Sequence, residues 1–239
     1  MEPLVVVDTS VLLAACLGPS IDAKAELAAN AFRTLSEAGI RTCITETIQR
    51  EFEGRLYERV GQVLDATRDL AQAPAPDSDR EVEPLDALEG VFATLRSKTG
   101  GAAGALLVLE TRVLTKVREQ GQLTEDAWTS LLRTVAAEAG LVLAEVQRRF
   151  DLVGVEVLPR PKGLNVEPFR DLVDKSDLEH IASCDALASS KRRLVLFITL
   201  DGKLLAARSE IGKRTMGRVV ITSPVFLDRA LKRESSQDA

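Results

Sequence analysis

Residues 4–16 read LVVVDTSVLLAAC, an apolar run broken by three polar residues and then resumed. The LVVV portion has no polar alternation, the pattern of a strand covered on both faces. An isolated ionised carboxylate inside an apolar core is costly unless it is paired or bound to a cation. Asp8 therefore marks where a buried strand ends and a site begins. The arrangement recurs downstream, where LVLFIT (194–199) is followed by Asp201 in FITLDGK. RTCIT (41–45), VGVEVL (153–158) and RVVIT (218–222) supply three more strand candidates.

Helical patterns separate these strands. Residues 10–38 read as helical, with Leu27, Ala31 and Leu35 at four-residue spacing and Gly39 as the stop. A second tract runs from Glu46 to about Leu70, with Ile48, Phe52 and Leu56 on one stripe. APAPDSDREVEP (73–84) reads as an exposed connection. Helical stretches at about 85–98, 103–120 and 125–150 follow, punctuated by GGAAG (100–104) and by GQLTED (121–126), where Thr124 is a start signal. Residues 177–190 form another helix, and Ser223 with Pro224 opens the last one. The whole predicts an α/β fold with a mostly parallel five-stranded sheet. It is expected as one domain with its core at 1–65 and 153–235, a helical insertion at about 66–152, and a solvated tail at 236–239.

Composition narrows the classes. The 239 residues are 45% hydrophobic and 28% charged, ordinary for a folded, water-soluble chain. No apolar run approaches the roughly 18 residues of a spanning helix, and MEPLVVVD lacks a basic leader. Cys16, Cys43 and Cys184 are scattered, with no CxxC, as expected in a reducing cytoplasm and not in a zinc site. The net charge of −5 does not suit a duplex-coating protein. It is unevenly spread, with fifteen Lys/Arg against eleven Asp/Glu in 159–239, a balance of +4 that leaves −9 for 1–158. The basic clusters SSKRR (189–193) and RSEIGKRTMGR (208–218) read either as a path for a phosphate backbone or as solvated helix faces.

In parallel α/β sheets function gathers at the carboxyl ends of the strands, and that is where the acids fall. Asp8 ends the first strand, Glu46 and Glu51 follow the second, Asp177 and Asp185 precede the fourth, and Asp201 follows it. Any one of them is equally a turn residue or a helix cap. Recurrence at three strands is what makes a site. With His180 the only histidine, such a set suits Mg²⁺ or Mn²⁺, which take oxygen ligands, better than zinc. Two such ions ~4 Å apart activate a water and stabilise the leaving oxygen of a phosphodiester. Other readings of DTS fail on spacing, since DxSxS would need a serine where Leu12 stands and DxD an acid where Ser10 stands. No phosphate-binding glycine loop follows a strand.

Taken together, VVVDTSVLL, ITETIQREFEGRL, DLEHIASCDALA, FITLDGKLL and ITSPVFL resemble the PIN-domain family of metal-dependent ribonucleases. The resemblance covers about 1–65 and 153–235, and the helical tract between has no counterpart in the minimal fold. It implies a three-layer PIN-like fold and hydrolysis of RNA phosphodiesters at an acidic Mg²⁺ or Mn²⁺ site. The family's first acid falls on Asp8, with Thr9 or Ser10 as a supporting hydroxyl. The second falls on Glu51, with Glu46 as the alternative. The third falls on Asp177, for which Asp185 competes. Eight residues separate those two by ~12 Å on one helix, against ~2.1 Å for a Mg²⁺–oxygen bond, so both do not reach one ion. Asp177 at the helix start is the better ligand and Asp185 a supporting group. Asp201 is the fourth acid, with Thr199 directed to the same edge. Asp8, Asp177 and Asp201 would hold the ion, and Glu51 would position it or the attacking water.

His180 is expected to be a packed or surface residue. Lys191, Arg192, Arg193, Lys213 and Arg214 are expected to neutralise RNA phosphates. Many members carry a further acid where this chain has Leu205. Tyr57 and Trp128 are the only Tyr and Trp, too few for a stacking platform, and Trp128 is expected in the core of the insertion. A catalytically silent PIN-like module is the rival reading. It would bind RNA, a protein partner or a second copy through the helical insertion. A structure-specific nuclease acting on DNA is a third.

Overall fold

A computed structural model describes residues 3–19, 22–72, 84–98, 104–120 and 124–235. Five strands form one all-parallel sheet: β1 (Leu4–Val7), β2 (Thr42–Thr45), β3 (Glu156–Leu158), β4 (Val195–Ile198) and β5 (Val219–Thr222). Their order across the sheet is β3-β2-β1-β4-β5. The helices are α1 (Thr9–Leu17), α2 (Ala25–Glu37), α3 (Glu46–Gln72), α4 (Pro84–Lys98), α5 (Gly104–Gln120), α6 (Glu125–Val153), α7 (Lys175–Lys191), α8 (Gly202–Arg214) and α9 (Leu227–Ser235).

Every residue of β1 and β4 is buried, as their unalternated Val, Leu, Ile and Phe require. They pair in register from Leu4 opposite Val195 to Val7 opposite Ile198. Each such side chain contributes about 1.5–3 kcal/mol by leaving water, so the central strands anchor the fold. From β1 the chain steps outward through β2 to β3, then returns to the other side of β1 for β4 and β5. The direction of travel reverses between β1 and β4. At such a switch point the connections leaving the two carboxyl ends diverge and open a crevice.

Contacts divide the chain into two compact units. The sheet unit comprises Met1–Cys16, Ala25–Gly54 and Arg149–Ala239. The helical unit comprises Leu17–Lys24 and Arg55–Arg148, and has its own core. Within it, buried residues recur every three or four positions: Val60, Val63 and Leu70 on α3, Leu88, Phe92 and Leu95 on α4, and Trp128, Leu132, Val135, Ala139 and Val142 on α6. Trp128 is thus core of the helical region. Arg112 pairs with Glu138 at 2.6 Å, and Arg96 pairs with Glu110.

The elements differ from expectation at a few boundaries. The stretch 10–38 is two helices, because Gly18 adopts φ +76° after α1 and Asp22 Oδ1 accepts from Lys24 N in a turn before α2. Strand β3 begins only at Glu156, because α6 continues to Val153 and Gly154 closes it at φ +66°. Gly39 ends α2 at φ +69° as expected. Ser223 leads into a 3-10 turn (Pro224–Phe226) ahead of α9, without a side-chain cap bond. Thr124 caps α6, its Oγ1 accepting from Ala127 N. The connection 73–83 and most of GGAAG lie outside the described residues, as does the tail at 236–239. Among the described residues no helix is long and apolar enough to cross a membrane, and Cys16, Cys43 and Cys184 are free and buried.

Candidate active site

Asp8 sits one residue past β1, in the switch-point crevice, and is 5% exposed. Two hydroxyls hold one of its oxygens: Ser10 donates to Oδ2 at 2.6 Å and Thr199 at 2.7 Å. Each hydroxyl is in turn tied to the exit of β4. Ser10 Oγ accepts from Leu200 N at 3.0 Å, and Thr199 Oγ1 accepts from Asp201 N at 2.9 Å. The ends of the two central strands are therefore fastened through a carboxylate that backbone ladders alone would leave unpaired.

Asp201 is the N-cap of α8, its Oδ1 accepting from Lys203 N at 2.7 Å and Leu204 N at 3.1 Å. That use leaves Oδ2. Asp177, in the first turn of α7, is half-buried and makes no side-chain hydrogen bond among the described residues. Burial first, then the neighbouring charges of Asp8 and Asp201, push its carboxyl up to about 6, His180 pulling the other way and Glu51 adding to the rise. Four acids from four distant segments thus act on one another here.

Glu51 and His180 close the inner side. Glu51 Oε2 accepts from Thr9 Oγ1 at 2.8 Å and lies 3.2 Å from His180 Nε2. His180 is 1% exposed, its Nδ1 facing Asp8 Oδ1 at 3.7 Å without a hydrogen-bond partner. It lies between two of the carboxylates. The expectation of a packed or surface residue holds in that His180 is packed, but it did not place the ring between the acids. The available signal was its spacing from Asp177, since positions i and i+3 share a helix face.

The other sequence candidates are placed elsewhere. Glu46 Oε2 accepts from Arg160 N at 3.2 Å, at the turn after β3. Asp185 does not join the cluster: its Oδ1 takes two hydrogen bonds from Arg218, at 2.9 and 3.1 Å, two turns along α7. The basic residues lie away from the acids. Lys191, Arg192 and Arg193 lie between α7 and the start of β4, at the amino edge of the sheet. The length of β4, roughly 13 Å for its four residues at about 3.3 Å each, lies between Arg193 and Asp201. Lys213 and Arg214 end α8, which runs away from Asp201. Lys213 pairs with Glu210 at 3.2 Å, and Arg214 forks onto Asp171 at 2.5 and 2.9 Å. A cation that does stand near the acids is Lys203, bound to Asp174 at 2.6 Å. That bond keeps its ammonium protonated to higher pH than usual, with smaller help from Asp201 and Asp177.

The donor set is all oxygen apart from His180. Asp8 Oδ1, Asp201 Oδ2 and both oxygens of Asp177 accept no hydrogen bond among the described residues, which suits a hard divalent cation. Among the described residues no three His, Cys, Asp or Glu side chains lie together so that they could hold a metal ion. Mg²⁺ commonly binds through one or two carboxylates and keeps several waters, so oxygen donors of this kind are the chemistry that ion takes, whereas zinc prefers His or Cys. The fold is that of an α/β protein with an all-parallel sheet and a group of acids at its carboxyl edge. Compared with known proteins, the chain matches no family model, no curated protein and no solved structure.

Proposed function

We propose that this chain is a PIN-like endoribonuclease that hydrolyses RNA phosphodiesters with Mg²⁺ or Mn²⁺ at the Asp8–Asp177–Asp201 crevice. The observation that carries the reading is the convergence of these acids and Glu51 on one another at the carboxyl edge, with three carboxylates keeping unused oxygens. Like charges crowded in a half-buried pocket are costly without a cation. The bound ion would lower the pKa of a water and stabilise the leaving oxygen. Asp8, steadied by Ser10 and Thr199, would hold it together with Asp177 and Asp201. Glu51, fixed between Thr9 and His180, would orient the attacking water. In the reaction the water oxygen bonds to phosphorus, the phosphorus–oxygen bond to the next nucleotide breaks, and the departing oxygen takes a proton.

The rival, a silent PIN-like module that binds RNA or protein, is favoured by one observation. Leu205 stands in α8 where the resemblance would place a further acid, leaving no carboxylate there for a second ion. Calorimetric titration with Mn²⁺, paired with cleavage of labelled single-stranded RNA, separates the two. Binding and cleavage that both vanish in Asp8→Asn/Asp201→Asn support the enzyme. Folded wild type that binds no Mn²⁺ even with RNA present sinks it.

A further inference from the structure

The amino edge of the sheet carries chemistry opposite to that of the carboxyl edge. Side chains two apart in a strand share a face, and neighbours in register across parallel strands do too. Arg41 immediately precedes β2 and lies two residues before Cys43, which pairs with Glu156 on β3. The same face continues to Leu158. Over this face, beside the end of α7, opens a cleft of about 510 Å³ into which Arg41, Lys191 and Arg193 project their charges. Its volume lies within the roughly 300–1,000 Å³ of small-molecule sites.

Two of the cations keep their charge clear of acids. Among the described residues Arg41 and Lys191 make no ion pair, and neither does Glu156, the one acid lining the cleft. Arg193 Nη2 donates to Pro3 O at 3.4 Å and keeps its charge. Lys191, Arg193 and Arg41 all favour the thiolate of Cys43, although burial first and Glu156 second raise that thiol overall. The three cations therefore share one focus. A second depression of about 460 Å³ adjoins the first through Arg193 and adds Arg192 and Arg218. Three cations against one acid leave the cleft net positive, which concentrates anions, and an Arg fork matches two phosphate oxygens.

We propose that this amino-edge cleft is a binding site for a phosphate-bearing ligand, the phosphate of a nucleotide or of an RNA strand, held by Arg41, Lys191 and Arg193. The length of β4 separates it from the acid crevice, so it is a second site and not the approach to the first.

The test is calorimetric titration of the full chain, free of divalent cations, with inorganic phosphate, adenosine, adenosine monophosphate and a short oligoadenylate. The phosphorylated ligands bind and adenosine does not. Arg41→Ala and Lys191→Ala each weaken binding about tenfold, the loss of one charge-assisted contact, and Arg41→Lys recovers part of it. Glu156→Gln tightens inorganic phosphate, a change that a structural role for Glu156 would not produce. A mononucleotide that binds as tightly as the oligomer identifies the source as free nucleotide. Binding confined to the oligomer, and lost in the same variants, identifies a strand. Phosphate ligands that bind no better than adenosine, or binding unchanged in folded Arg41→Ala and Lys191→Ala, overturn the proposal. Because no divalent ion is present, the result stands apart from the fate of the acid crevice.

Discussion

At its carboxyl edge the sheet gathers Asp8, Glu51, Asp177 and Asp201 around a nearly buried histidine, while at its amino edge Arg41, Lys191 and Arg193 surround an open cleft. Both groups hang from the same strands. The carboxyl edge is organised, each of Asp8, Glu51 and Asp201 being held by hydroxyls or backbone N–H groups. The amino edge is not, and Arg41 and Lys191 are exposed with no ion pair among the described residues. Preorganisation suits a site that fixes a small ion and a reacting water. Mobile cations on long stems suit a site that holds a phosphate by charge. A parallel sheet makes the separation possible, because every strand begins at one edge and ends at the other.

Four experiments break or sharpen that contrast. The largest effect is expected from Asp8→Asn/Asp201→Asn, which should weaken Mn²⁺ affinity by at least about a hundredfold and leave phosphate binding at the amino edge unchanged. Both asparagines keep an acceptor for Ser10, Thr199 and the α8 cap, so circular dichroism should show a folded protein. Next, Arg41→Ala/Lys191→Ala should reverse the pattern, with phosphate binding reduced about tenfold or more and Mn²⁺ binding intact. Loss of both activities in either variant would mean the edges are one site. Third, Thr199→Val removes the donor to Asp8 and the acceptor for Asp201 N together. It should cost about 1–3 kcal/mol in urea denaturation and loosen Mn²⁺ severalfold.

The smallest effect concerns pH. The Asp177 carboxyl lies up at about 6 in the folded chain, above its ordinary value of 3.8. A proton is thus held more tightly by the folded state. The resulting stability is complete below the ordinary value and is lost as pH rises through about 6. Melting of the metal-free chain between pH 5 and 7.5 should show this decline, and Asp177→Asn should flatten it. An equal decline in the variant would assign the effect to another group.

The sequence was most informative where local chemistry and tertiary position coincide. Asp8 and Asp201 each follow a short unalternated β-branched or aromatic run, and a buried parallel strand ends at its first unavoidable charge. Glu51 was harder, since a helix wheel leaves it flanking the Ile48/Phe52/Leu56 stripe, and only the fold shows it beside Thr9. His180 is packed as expected, but its neighbours were not legible, because a lone histidine has no local signature and they come from the exit of β1 and from α3. The distance of the basic clusters from the acids was not legible either. Arg193 and Asp201 are eight residues apart in the chain, yet an intervening strand carries them to opposite edges.

By itself the sequence determined the alternation of strands and helices, the helices near 85–98, 104–120 and 125–150, and which acids terminate strands. These follow from hydrophobic periodicity and from the cost of burying charge, which act over a few residues. Only the tertiary structure decided the order β3-β2-β1-β4-β5, and with it the crevice between β1 and β4. It alone placed His180 between Asp8 and Glu51, turned Asp185 to Arg218, and gathered Arg41 with Lys191 and Arg193 across roughly 150 residues of chain. Strand order depends on how crossovers pack and on the summed burial of the sheet, quantities that no local window of residues contains.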